Sequence, residues 1–425
     1  MTTGAATDIS TALPWGSRIN RHGHLEVGGC DLLEVAREFG TPAYVVSEED
    51  LRRRARAFLN GLRARSPEAQ VLFASKAFPC TPVLRVLREA GLGCDVASGG
   101  ELAMALAAGF GPEQIVLHGN AKSAQEIRLA LREGVGYVVL DSLHDIDRVE
   151  GIAASLGLRQ PVLVRVTPDV SGDTHAAIST GQANSKFGLS PPDLSAAVDR
   201  LTRSESLQLM GLHCHIGSQL LDLTPFRRAV EALSRLGEYP VYNLGGGLGA
   251  GYLTGHEPPS VEDYLGTLLD SAHSLLGSGV RLLIEPGRAL VANAGVTLYT
   301  VETVKRNVST WVAVDGGMSD NLRPMLYGSR YEAFLVDRPQ ATGGERCHLV
   351  GKHCESGDVI IHGVQLLEPA PGDVVVTPAT GAYGYAMANN YNGVPRPPVV
   401  FVNDGQARLA VRRETYEDLM RRDVR

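Results

Sequence analysis

Five short motifs carry side chains able to do chemistry. Lys76 sits in Phe73-Ala74-Ser75-Lys76-Ala77-Phe78. A lysine that closes an apolar strand is costly to bury as a cation, and burial lowers its pKa and frees a nucleophilic amine suited to a Schiff base. The same lysine could also snorkel from a strand end. Asn243-Leu244-Gly245-Gly246-Gly247-Leu248-Gly249 lets backbone N–H groups approach a phosphate, or simply makes a tight turn. It is not the dinucleotide G-x-G-x-x-G. Glu285-Pro286-Gly287-Arg288 offers a carboxylate able to keep a pyridine nitrogen protonated, or a structural Glu–Arg pair. His213-Cys214-His215-Ile216-Gly217-Ser218 offers an imidazole to stack on an aromatic cofactor and a hydroxyl for phosphate. Strand alternation puts His213 and His215 on one face. Zinc is the competing reading, but no third His or Cys stands at metal-site spacing, so no metal is expected. Cys354-Glu355-Ser356-Gly357-Asp358 offers a thiol as proton donor, or a buried structural cysteine.

These residues must be positioned by regular elements. Eight apolar, β-branched runs recur: Val71–Lys76, Gly93–Ser98, Ile115–Asn120, Tyr137–Ser142, Val162–Thr167, Leu209–His215, Val241–Gly247 and Arg281–Gly287. The segments between them read as helices. Pro82 opens one that stops at Gly91, and Ser123-Ala124-Gln125-Glu126 is a capping box for one that stops at Gly134. Strands alternating with helices imply a parallel sheet, and eight units imply a (β/α)8 barrel. Polar residues collect at the strand ends, where barrel enzymes keep their active sites. After about residue 295 strand-like runs follow one another without helices, which predicts a C-terminal all-β domain, a sandwich or small barrel. The expected division is an N-terminal segment 1–44 partly joining the β-domain through a hairpin at Arg18–Val27, a barrel 45–295, and a β-domain 296–425.

Composition narrows the class. The chain has 425 residues and a formal charge of −7, with 40 Lys+Arg against 47 Asp+Glu, which argues against a nucleic-acid partner. No apolar run reaches the roughly 18 residues of a membrane span. The six cysteines lack C-x-x-C spacing, which favours reduced thiols in the cytoplasm over a disulfide framework. Glycine is in excess, 48 of 425, without a collagen period, so it belongs to folded turns and close approaches.

In their order along the chain the motifs resemble the fold-type III pyridoxal-phosphate decarboxylases, and within them the branch acting on diaminopimelate. Cys94-Asp95-Val96-Ala97-Ser98-Gly99-Gly100-Glu101-Leu102, Asp315-Gly316-Gly317-Met318, Arg323-Pro324-Met325-Leu326-Tyr327, Gly381-Ala382-Tyr383-Gly384 and Asn390-Tyr391-Asn392 extend the likeness over nearly the whole chain. The resemblance implies pyridoxal 5'-phosphate as cofactor, with Lys76 as its Schiff-base lysine, His215 on its ring face and Glu285 at its pyridine nitrogen. It implies Ser218, Gly245, Gly246, Gly247 and Tyr383 at the phosphate, with Arg288 there or at the substrate. It implies Arg288, Arg323 and Tyr327 on the substrate's distal carboxylate, Glu355 on its distal amine, Tyr383 within reach of the substrate, and Cys354 as proton donor. An Arg–Tyr pair suits a carboxylate, whereas a decarboxylase of ornithine, arginine or a carboxylated polyamine, the alternative reading, would present acidic residues there. A racemase would need a second base in place of the Cys354 block, and a non-catalytic carrier of the cofactor would tend to lose Lys76 or Cys354. The resemblance further implies a homodimer with shared active sites, the Cys354–Asp358 block reaching the partner's barrel and Lys186 pairing with Asp358 across the interface. Departures are Ala121, where many relatives have Asn, and the polar stretch Ser171–Asn184.

Overall fold

Serine punctuates the barrel. Ser98, Ser123, Ser142, Ser190 and Ser260 each accept a hydrogen bond from the backbone N–H three residues on, at Glu101, Glu126, Asp145, Asp193 and Asp263. Each such cap is worth about 1 kcal/mol and places a carboxylate against the positive end of the helix dipole. It also lets the helix start close behind its strand: Gly93–Val96 is followed by the Ser98 cap, and Tyr137–Leu140 by the Ser142 cap. Short, stiff connections of this kind fix the direction in which a strand-end side chain points.

In this computed structural model, residues 9–167, 186–341 and 343–424 are described, and Ser171–Asn184 lies outside them. The chain divides into two compact units, one of Arg53–Gly249 and Pro258–Ala289, the other of Met1–Arg52, Ala250–Glu257 and Leu290–Arg425. The first is a closed barrel of eight parallel strands: Gln70–Ala74, Gly93–Val96, Ile115–Leu117, Tyr137–Leu140, Gln160–Arg165, Leu207–His213, Val241–Asn243 and Arg281–Ile284. Neighbours in sequence are neighbours in space, and Leu283 pairs with Gln70 to close the ring. Leu72, Val116, Val139, Leu163, Val241 and Leu283 pack in its core. The strands are shorter at their C-terminal ends than the apolar runs suggest, because the polar residues there leave the ladder and turn into the loops.

The second unit is built on a mixed sheet of nine strands. Its main path runs Val359–Leu366, Glu345–Val350, Thr310–Val314, Gly295–Arg306, Ala43–Ser47, Val399–Asn403 and Gln406–Val411. Val374–Thr377 pairs with both Gly295–Arg306 and Phe334–Leu335. The fully buried strand Ala43–Ser47 lies in the middle of this sheet. The sequence division expects the barrel to begin at residue 45, inside that strand. The apolar run followed by the helix Glu48–Arg63 has the outward form of a barrel repeat, and only its pairing partners place it in the sheet. Arg18–Ile19 and Leu25–Val27 form an antiparallel hairpin, and Leu25 and Val27 join Val45, Val296, Val376 and Val400 in one apolar cluster.

Asp320 is one of several carboxyls buried in this sheet unit. It is 1% exposed. It accepts from Tyr299 Oη (2.7 Å) and from the Gly317 N–H (2.8 Å), while its carbonyl accepts from Tyr44 Oη (2.6 Å). Burial pushes its pKa up to about 7, against the opposing pull of those bonds. The folded chain therefore holds a proton that the unfolded chain releases near 3.8. This contribution is full below that value and is lost as pH rises through about 7. Asp320→Asn keeps the neutral geometry. In denaturant titrations from acid to neutral pH, wild type should lose on the order of 4 kcal/mol more than the variant does. Parallel pH profiles for the two proteins would refute the assignment.

Candidate active site

The barrel's strand ends converge on Glu285, at the end of the eighth strand and 5% exposed. Asn243, closing the seventh strand, donates Nδ2–H to Glu285 Oε1 at 2.5 Å. His118 Nε2, from the loop after the third strand, lies 2.7 Å from the same oxygen, and His213 Nε2, closing the sixth, lies 3.4 Å from Oε2. Asp95, on the second strand, lies 3.7 Å from His118 Nε2. The two imidazoles meet edge to face at 4.7 Å.

The charges follow from this packing. Burial drives the Glu285 carboxyl upward, but His118 and His213 outweigh it and hold Glu285 well below the usual carboxylate range. Burial opposes charge on His118, yet Glu285 and Asp95 raise its pKa. Burial depresses His213 to about 4 despite Glu285. His213 is thus a neutral partner, and the ion pair is Glu285 with His118. Burial, reinforced by Glu285, raises Asp95.

His118, His213 and Glu285 have donor atoms all within 4.8 Å of one another, the one such group among the described residues. The structure thus supplies the third ligand type that spacing along the chain did not reveal. Each imidazole is turned toward Glu285 as a charge or hydrogen-bond partner, so the trio reads as the support of an ionised carboxylate.

His215 faces elsewhere. Its Nδ1 accepts from the Gly246 N–H at 3.2 Å. Burial, then the positive charges of Lys76 and Arg165, hold it well below the imidazole range. It is therefore a neutral ring. The glycine run is required by close approach: a Cβ on Gly246 would lie 2.1 Å from Glu285 O, and one on Gly245 (φ +67°) 2.3 Å from Cys214 O. Beside this loop the buried Arg288 donates Nη2–H to Ser218 Oγ at 2.9 Å. A guanidinium, a hydroxyl and flexible backbone together have the chemistry of a phosphate cradle.

Lys76 differs from expectation. The strand ends at Ala74, and Ser75–Ala77 form a single 3-10 turn whose flanking residues are buried while Lys76 itself is exposed. The turn lifts the side chain off the strand, and the lysine is not buried as a strand-end position would make it. Its charge is felt by Asp95 and His215, which places it among the strand-end groups.

The sheet unit holds the remaining expected residues. Arg323 is 5% exposed, in the short helix Arg323–Tyr327. It donates to Tyr331 Oη and lies 4.8 Å from the Tyr252 ring and 5.6 Å from the Tyr331 ring. The tyrosines that hold it are Tyr252 and Tyr331, which the sequence reading did not single out, whereas Tyr327 ends the same helix, half-buried. Tyr383 has a left-handed backbone (φ 65°), a strained conformation for a bulky residue of the kind found at functional sites. Cys354 and Glu355 lie in an exposed turn, so Cys354 is not a buried structural cysteine. Asp358, expected to meet the partner subunit's Lys186 across an interface, is tied to its own chain's backbone. Its oxygens accept from Met318 N (2.7 Å) and His353 N (2.9 Å), and it is buried.

An ionised carboxylate deep in a barrel, a neutral flat imidazole, a strand-end lysine and an anion cradle meet the demands of pyridoxal phosphate, and define a barrel enzyme of that cofactor class. The chain belongs to the pyridoxal-dependent decarboxylase family, whose pyridoxal binding domain matches residues 48–292. It is 44% identical to the diaminopimelate decarboxylase of Bacillus subtilis (96% of this chain, 97% of that one) and 47% identical to that of Actinosynnema pretiosum (97% and 95%). Among solved structures it is similar to diaminopimelate decarboxylase from M. jannaschii in complex with L-lysine, with TM-score 0.90 and 32% identity over 96% of this chain and 97% of that one. A lysine/ornithine decarboxylase from Vibrio vulnificus, 22% identical with TM-score 0.76 (88% of this chain, 98% of that one), shares the fold.

Histidine-selective NMR tests the charge assignment. His118 should titrate above the ordinary imidazole value and His213 below it. Glu285→Gln removes the anion and should lower His118, and a His118 titration indifferent to that change would mean that the ion pair is wrongly drawn.

Proposed function

We propose that this chain decarboxylates meso-2,6-diaminopimelate to L-lysine and CO2, using pyridoxal 5'-phosphate. The observation that carries the substrate reading is Arg323. It is a guanidinium buried against two tyrosines in a family that acts on amino acids, and a cation so placed is suited to a carboxylate. Diaminopimelate differs from lysine by that one group.

The cofactor would be held by Lys76, His215, Ser218, Gly245–Gly247, Glu285, Arg288 and Tyr383. When bound, it supplies the electron sink that accepts the pair left on Cα as CO2 departs. Glu285, kept ionised by His118, would keep a proton on the pyridine nitrogen. Neutral His215 would face the ring without repelling that charge. Arg288 and Ser218 would take the phosphate. Arg323 with Tyr327 takes the distal carboxylate and Glu355 the distal amine, which directs the chemistry to the other end of the substrate. Cys354 returns a proton to Cα.

We place the chain in a homodimer whose partners complete each other's sites. Cys354 to Gly357 are all exposed between buried His353 and Asp358, and Met325 and Leu326 beside them are 47% and 50% exposed. This is apolar surface of the kind a partner covers. All six cysteines are free thiols, which supports a cytoplasmic address. Among the described residues no helix is long and apolar enough to cross a membrane.

Purified enzyme given a panel of amino acids should release lysine from meso-diaminopimelate, and no lysine would end the proposal. Arg323→Gln should lower kcat/KM on that substrate roughly ten- to hundredfold, the worth of a hydrogen bond to a charged group. Undiminished turnover by that variant would remove the carboxylate clamp. Borohydride reduction should fix the cofactor to Lys76 in peptide maps, and a Lys76→Ala protein that still retains it covalently would exclude this lysine.

A further inference from the structure

The geometry points to Asn392 as the positioning residue for Cys354, an inference that rests on the proton-donor role proposed above. Asn392 has a left-handed backbone (φ 54°, ψ 21°), which asparagine tolerates better than most residues. Its Oδ1 accepts from the Cys354 N–H at 3.1 Å. A backbone N–H can only donate, so the side-chain amide is fixed with its oxygen toward Cys354. The same oxygen lies 3.2 Å from His353 Nδ1, so that nitrogen carries the ring proton. His353 Nε2 is then the acceptor, 2.9 Å from the Ser319 hydroxyl. The Tyr391 ring packs against His353 with centroids 5.7 Å apart.

The turn itself is exposed from Cys354 to Gly357, and its two ends, His353 and Asp358, are buried. Asp358 ties the ends together by accepting from His353 N. Cys354 is the first exposed residue of this turn, and its backbone N–H is held by Asn392. One acceptor oxygen therefore sets both the direction of the thiol-bearing residue and the tautomer of the imidazole behind it. A proton donor must meet its target within hydrogen-bond reach, so loosening this residue costs turnover more than binding.

Two variants of the holoenzyme separate the side chain from the backbone. Asn392→Gly removes the acceptor and keeps the left-handed conformation free of strain. Asn392→Asp keeps an acceptor oxygen at the same reach. The first readout is the rate of Cys354 alkylation by iodoacetamide, since the other five cysteines are buried. Asn392→Gly should raise this rate about threefold or more as the turn loosens, and Asn392→Asp should stay near wild type. The second readout is turnover of meso-diaminopimelate. Asn392→Gly should lower kcat about tenfold with KM little changed, and Asn392→Asp should recover most of the loss. Wild-type alkylation in Asn392→Gly, or an Asn392→Asp protein no better than Asn392→Gly, overturns the clamp. Altered alkylation combined with full turnover by Cys354→Ser leaves the clamp standing and overturns the proton-donor role.

Discussion

The barrel is organised around keeping one carboxylate charged where water cannot reach it. An ionised carboxylate buried without partners costs several kcal/mol and would take up a proton instead. Glu285 escapes that outcome through His118, His213 and Asn243, with Asp95 behind His118. These residues come from the ends of the second, third, sixth, seventh and eighth strands or the loops that follow them. No local segment could assemble them, and only ring closure does. Asp95 adds to the Glu285 pull that charges one imidazole rather than the other. It faces His118, so His118 takes the proton and His213, more deeply buried, remains neutral.

That arrangement accounts for how much was legible in the sequence. The eight apolar runs and the polar residues closing them gave the barrel, because strand period and strand-end chemistry are local signals. Glu285, His215 and the glycine run were visible for the same reason. His118 was visible only as a strand-end residue, since its role exists through Glu285, 167 positions away. Tyr252 and Tyr331 were hidden similarly: neither belongs to a motif, and each matters because it faces Arg323. The boundary expected at residue 45 cut through Ala43–Ser47, because pairing partners are not written in a single strand. The burial argument for Lys76 failed on a three-residue turn that local pattern could not foresee.

The sheet unit answers the same problem of buried polarity differently. Asp320 is pushed toward its neutral form rather than held charged, because burial outweighs the bonds its carboxyl accepts from the Tyr299 hydroxyl and the Gly317 N–H. Arg323 is held charged without a carboxylate, by aromatic faces and a phenol. An ion pair there would satisfy the guanidinium and leave nothing for a ligand. Tyrosines stabilise the cation without neutralising it, which suits the carboxylate role proposed for Arg323.

Opposite treatment of Glu285 and His215 completes the logic. A carboxylate that keeps a pyridine nitrogen protonated makes the ring cationic, and a protonated imidazole against that ring would repel it. The proposed cofactor roles would therefore need Glu285 ionised and His215 neutral in one water-poor space. Burial alone would neutralise both. Local cations resolve the conflict: His118 sits against Glu285 and preserves its charge, while Lys76 and Arg165 oppose any proton on His215. The Gly246 N–H then fixes the neutral ring by donating to Nδ1, a bond that protonation at Nδ1 would break. Positive charge thus performs two tasks within a few strand ends, and which task falls to which cation is decided by the closure of the barrel.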